Sequence, residues 1–107
     1  MSDARALYKE AFDHFVNDRL DEAVAAYRRA VEADPELPIA WNGLAMALAQ
    51  QEDLDGAIEA GKRLVELEPD EALGHTSLSM FYMRKGMIPE AEEEKAIAAR
   101  LSMRANH

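Results

Sequence analysis

The chain has 107 residues, 49% of them apolar, no cysteine and a formal charge of −9, enough for one small globular domain. The missing cysteines exclude disulfides, thiolate metal sites and a cysteine nucleophile; no apolar run approaches the length of a membrane span and Met1–Glu10 is too polar for a signal peptide, so a cytoplasmic protein is expected. Residues 1–37, 38–71 and 72–107 carry 5, 2 and 5 basic side chains against 9, 8 and 4 acidic ones, and that acidity, with no basic stripe among aromatics, argues against a nucleic-acid partner.

The chain repeats itself at a period of 34 residues. Leu20-Asp21-Glu22-Ala23-Val24 falls on Leu54-Asp55-Gly56-Ala57-Ile58, and both fall on Ile88-Pro89-Glu90-Ala91-Glu92. Glu32-Ala33-Asp34-Pro35 falls on Glu66-Leu67-Glu68-Pro69. Such a period signals a repeat architecture, with units at about 4–37, 38–71 and 72–105. Each unit reads as two helices. In unit one, Pro35 ends the second helix, because proline disfavours helix in the residue before it. In unit two, a first helix is predicted over Pro38–Gln50, with Trp41, Leu44, Ala45 and Leu48 on one apolar face. Ala40 and Ala47 point sideways toward a neighbouring unit. Asp53 ends the turn, and a second helix over Leu54–Leu67 offers Ala57, Ile58, Leu64, Val65 and Leu67 before Pro69 breaks it. Connections this short force neighbouring helices antiparallel.

Trp41, Leu44, Leu48, Ala57 and Pro69 in unit two resemble the tetratricopeptide repeat pattern. So do Tyr27, Ala30 and Pro35 in unit one, and Leu78, Tyr82, Gly86, Ala91 and Ala98 in unit three. The resemblance runs from about Ala4 to Met103. It implies an all-α fold: a single domain over 1–107, an α-solenoid of three antiparallel helix pairs wound into a right-handed superhelix. There are departures. Glu10 stands where Leu44 and Leu78 stand, so the first helix packs less apolar surface. Gly61 stands at the place of Tyr27, which predicts a thinner helix face. Met103 replaces the proline, so the last helix need not stop there.

One repeat cannot bury its own apolar face; stacking does that. The second-helix positions that meet a following unit are Val24, Tyr27 and Val31, then Ile58, Gly61 and Val65. In unit three they become Glu92, Lys95 and Ala99. This polar turn predicts three repeats as the whole array, the last helix serving as its own cap. Ile97, Leu101 and Met103 are expected to leave a modest apolar patch.

Met46 points away from Trp41, Leu44 and Leu48, where a polar side chain is expected. Its equivalents are Phe12 and Met80, and three residues on stand Phe15, Ala49 and Met83. Tyr8 and Leu73 share this face, with Arg5, Lys9, Asn42, Gln50, Thr76, Ser77 and Arg84 as polar contacts. In the family this face lines the concave groove where peptides bind. The resemblance therefore implies a partner-binding groove of Tyr8, Phe12, Phe15, Asn42, Met46, Leu73, Met80, Met83 and Arg84. Methionines and aromatics suit adaptable apolar recognition. Two other readings stand beside it: curvature partly buries the stripe as core, or the stripe serves self-association. The family's best-known ligand is a heat-shock C-terminal carboxylate, gripped by lysine, asparagine and arginine. The matching positions here are Tyr8, Phe12, Gly43, Leu73 and Ser77, none basic and none asparagine, so that ligand is not expected.

Catalysis finds no support. His75 takes the place of Trp41 and His14 that of Leu48, both read as packing between helices, and His107 is terminal. Glu92-Glu93-Glu94 reads as a solvated charged face. There is no glycine-rich phosphate loop and no zinc spacing. The expected protein is not an enzyme and needs no metal or cofactor. It is an interaction module or adaptor that binds an apolar peptide or helix of another protein; the alternative is a self-assembling structural subunit, joined through the groove or the bare last helix.

Overall fold

Six α-helices run through the computed structural model, which describes residues 3–106 and leaves Met1, Ser2 and His107 outside. They are α1 (Ala4–Val16), α2 (Leu20–Ala33), α3 (Pro38–Gln50), α4 (Leu54–Leu67), α5 (Ala72–Lys85) and α6 (Ile88–Ala105). No strand occurs among the described residues. Helices α1 and α2, α3 and α4, and α5 and α6 pack as pairs; the pairs stack through α2 on α3 and α4 on α5. The described residues extend over 39 × 31 × 20 Å. Both helices of unit two begin and end where the sequence places them.

The repeat is written into the backbone as well as the side chains. Asp18 (φ 61°), Glu52 (φ 67°) and Gly86 (φ 83°) occupy one place in successive units and share left-handed backbone. The next N–H, of Arg19, Asp53 or Met87, donates to the carbonyl of His14, Leu48 or Tyr82 at 2.9, 2.9 and 2.8 Å. That bond satisfies a carbonyl the ending helix leaves orphaned. Asp53 also caps α4, its carboxylate accepting from the Gly56 N–H at 3.0 Å.

Between units, the Trp41 indole N–H donates to the Pro35 carbonyl at 2.7 Å. One period on, His75 Nε2 lies 3.2 Å from the Pro69 carbonyl. Trp41 and His75 thus do the same work, tying each first helix to the proline turn before it. The other nitrogen of His75, Nδ1, lies 2.7 Å from the Glu94 carboxylate on α6. Glu94 is therefore not part of a solvated face, as its charged neighbours suggest. It is half-buried because it meets the polar edge of a buried imidazole, at the place where units one and two carry Ala26 and Ala60.

The two seams are packed by exchange of size. In the first, the buried ring of Tyr27 lies over Gly43, where an added Cβ would sit 2.6 Å from the ring Cζ. In the second, Gly61 stands at Tyr27's place, and Leu78 and the fully buried Phe81 close over it from α5. Gly61 therefore does not thin the packing. The volume comes from the opposite helix, and reading one helix at a time misses that. Polar latches also repeat: Gln51 Nε2 donates to Asp21 Oδ1 at 2.6 Å, and one period on Lys85 pairs with Asp55. Arg84 adds bonds to the Ala49 carbonyl at 3.2 Å and the Glu52 carboxylate at 2.7 Å.

Candidate functional site

The first helices α1, α3 and α5 present equivalent residues side by side. Arg5, Ile39 and Leu73 form one row, Tyr8, Asn42 and Thr76 a second, and Phe12, Met46 and Met80 a third. Large apolar side chains on this face are open to solvent: Phe12 is 48% exposed, Leu73 55%, Met80 47% and Met83 44%. Tyr8, Phe15 and Met46 are half-buried and pack against the core. Met46 thus has a packing role that its direction within its own helix pair does not reveal, because stacking closes over positions that point away from the pair. Asn42 is half-buried and Arg84 exposed.

Seven of these nine residues fall into three neighbourhoods, while Phe15 and Met46 pack against the core. At the start of the array Tyr8 stacks on Phe12, ring centroids 6.2 Å apart, and lies 5.9 Å from Tyr27 at a tilt of 54°. Burial, and secondarily the neighbouring Tyr8, pushes the Tyr27 hydroxyl pKa up to about 12. Across the middle runs a depression of about 180 Å³ lined by Arg5, Leu37, Pro38, Ile39, Asn42, Leu64, Glu68 and Leu73. It takes one side chain from the same place of every unit. Asn42 Oδ1 is buried there without a partner, and a native structure rarely leaves a buried acceptor unpaired without a reason. At the far end Met80, Met83 and Arg84 join Thr76, Ser79, Lys95 and Ala98 around a cavity of about 530 Å³ between α5 and α6.

The positions that would form a carboxylate clamp supply no cation. Gly43 and Ser77 are buried, and Tyr8, Phe12 and Leu73 are uncharged. His14 Nδ1 accepts from Arg19 Nε at 3.1 Å, and His75 is engaged with Glu94, so the two described histidines sit in separate local networks. No cluster of three or more His, Asp or Glu among the described residues is arranged to hold a metal. A further cavity of about 550 Å³ is lined by Asp55, Glu59, Lys62, Lys85 and Glu90, with Lys85 already paired to Asp55. No helix among the described residues is long and apolar enough to cross a membrane.

Several residues of these surfaces, Ile39, Lys95 and Ala98 among them, are absent from the groove read off the sequence. Ile39 was legible: it shares its place with Leu73. Lys95 and Ala98 lie on a second helix, and only the packing of α6 brings them beside α5.

The tetratricopeptide repeat family pattern matches residues 8–72. No curated protein matches the chain. Among solved structures, a crystal structure of MamA superposes with a TM-score of 0.93 at 23% identity, over 96% of this chain and 60% of that one. A CopN–Scc3 complex gives 0.88 at 19%, over 92% and 58%. The first TPR of Spaghetti (RPAP3), bound to the HSP90 peptide SRMEEVD, gives 0.88 at 19%, over 92% and 78%. At these identities the likeness is one of fold, and the chain spans about three-fifths of the first two. With three equivalent helix pairs, the recurring turn and a match over more than half its length, the chain belongs to the tetratricopeptide repeat family.

Proposed function

We propose that this chain is a protein-interaction module that receives an apolar segment of another protein on the face of its three first helices, without catalysing a reaction. The observation that carries the reading is the depression that draws Arg5, Ile39 and Leu73 from the same place of each unit. Phe12 stands exposed on the same face. Rows of exposed apolar side chains mark an interaction surface. Two structures of like fold are partner-bound by their own descriptions, one with an HSP90 peptide and one as a CopN–Scc3 complex; they support the class of function and not the partner. Each buried anchor contributes roughly 1.5–3 kcal/mol. Association costs offset much of that, which points to modest affinity.

The test is Phe12→Glu combined with Leu73→Glu. Both side chains are exposed, so the free protein keeps its helicity and melting temperature. A partner captured by the wild type from its native host, identified by mass spectrometry, is lost by the variant. A folded variant that still captures the same partner places the site elsewhere. A molar mass that rises with concentration in the wild type, but not in the variant, would make a second copy the occupant.

A further inference from the structure

The cavity between α5 and α6 has a meaning that the repeat itself supplies. Move its lining back by one unit. Thr76, Ser79, Met80, Met83, Arg84, Lys95 and Ala98 become Asn42, Ala45, Met46, Ala49, Gln50, Gly61 and Leu64. These are residues of the seam that receives α5. Gly61 lies under Leu78 and Phe81, Leu64 lies against Gly74, the Ala49 carbonyl accepts from Arg84, and Asn42 shares a depression with Leu73. Moved back once more, Lys95 becomes Tyr27, whose ring lies over Gly43 of α3. The cavity is therefore a helix socket, equivalent to the two that α3 and α5 fill.

Its charge, however, is not that of the inner seams. Those seams hold the incoming unit with acids: Asp21 accepts from Gln51, Glu52 from Arg84, and Asp55 pairs with Lys85. At the places of Asp21 and Asp55 unit three has Pro89, and at that of Glu52 it has Gly86. Lys95 replaces an apolar or absent side chain, and residues 72–107 carry 5 basic against 4 acidic groups in an otherwise acidic protein. A second copy stacked in the same register would set Lys9, which shares its place with Gly43, against Lys95, and like charges oppose that. We propose that this socket docks an amphipathic helix of a partner protein, one with an acidic residue beside its apolar stripe to meet Lys95. Met80 and Met83, exposed and flexible, adapt to the apolar side chains. The surface is distinct from the depression around Ile39 and Leu73.

The experiment uses a probe taken from the chain itself. A synthetic peptide of residues 34–53 contains α3, the helix that fills the equivalent socket of unit one, with Gly43 at the place that faces Tyr27 there and Lys95 here. Two versions are titrated against the full-length protein, one with Gly43→Glu and one with Gly43→Lys. The Glu peptide is expected to bind about five- to tenfold more tightly, and Lys95→Glu in the protein to reverse that order. Lys95 is exposed, so this variant keeps its fold. Met80→Glu with Met83→Glu is expected to remove binding of both peptides. Equal affinity of the two peptides, no binding of either, or a preference that Lys95→Glu leaves unchanged would overturn the proposal. Loss of peptide binding in the Phe12→Glu, Leu73→Glu variant would overturn it too, since the peptide would then occupy the other face. If that variant retains peptide binding but loses the native partner, both readings stand; if it retains both, the socket stands and the groove reading fails.

Discussion

Gly43 and Gly61 show how much one side chain's neighbour matters. Both are buried helix-interior glycines, and replacing either by alanine improves helix propensity by up to about 1 kcal/mol. At Gly43 the new Cβ runs into the Tyr27 ring, which is rigid and buried. At Gly61 it meets the tip of Leu78 at 2.9 Å, which can turn aside. Gly43→Ala is therefore expected to destabilise by about 1–3 kcal/mol, while Gly61→Ala stays within about 1 kcal/mol of the wild type. Urea melts of the two variants check this. Tyr27 makes a second residue-scale prediction. Its raised pKa means that the folded state holds the phenolic proton more tightly than the unfolded state does, so the associated stability is complete below about pH 10 and is lost as the pH rises through about 12. In Tyr27→Phe the fall in melting temperature over that window is expected to be shallower, by the equivalent of about 2 kcal/mol. Parallel curves for the two proteins would refute the assignment. Chemical character alone misreads one other residue. Glu94 reads as solvated, yet it forms a 2.7 Å pair with the buried His75, because the contact joins helices whose relative rotation no single-residue pattern encodes.

Among the elements, the turns are the most uniform part of the repeat and the least uniform in sequence. The left-handed position is aspartate, glutamate and glycine in turn. Glycine carries no steric penalty there, whereas other residues do. Asp18 has an exposed side chain, so Asp18→Gly is expected to stabilise by about 0.5–1 kcal/mol, visible as a higher melting temperature. Glu52→Gly should gain less, since it gives up the bond from Arg84. The second helices differ according to what lies beyond them. Val31 is buried in the first seam, while Glu92, on the outer side of α6, is exposed. Val31→Asp places an unpaired charge in the seam and is expected to cost about 3–5 kcal/mol. Glu92→Ala is expected to cost less than about 0.5 kcal/mol. The reverse order in a thermal melt would mean that the assigned register is wrong.

Over the whole molecule, stacking turns three similar helix pairs into surfaces that no one pair possesses. The face of the first helices offers apolar rows, but no cation at the five clamp positions, two of which are buried. An acidic C-terminal peptide such as SRMEEVD is therefore expected not to bind; calorimetry showing micromolar affinity that disappears when the peptide C-terminus is amidated would contradict this. The helix pairs, their limits in unit two and the apolar rows of the first helices were legible in the sequence, because each rests on spacing along one chain: a 34-residue period, a helical turn, a proline that stops a helix. The partners across the seams were not. How α6 brings Lys95 and Ala98 beside Met80 depends on the packing of the two helices of unit three; that Phe81 fills the space Gly61 leaves and that Met46 touches the core depend on how far one helix pair rotates over the next. That rotation is set by close packing of side chains distant in sequence, and no periodicity within a single helix carries it.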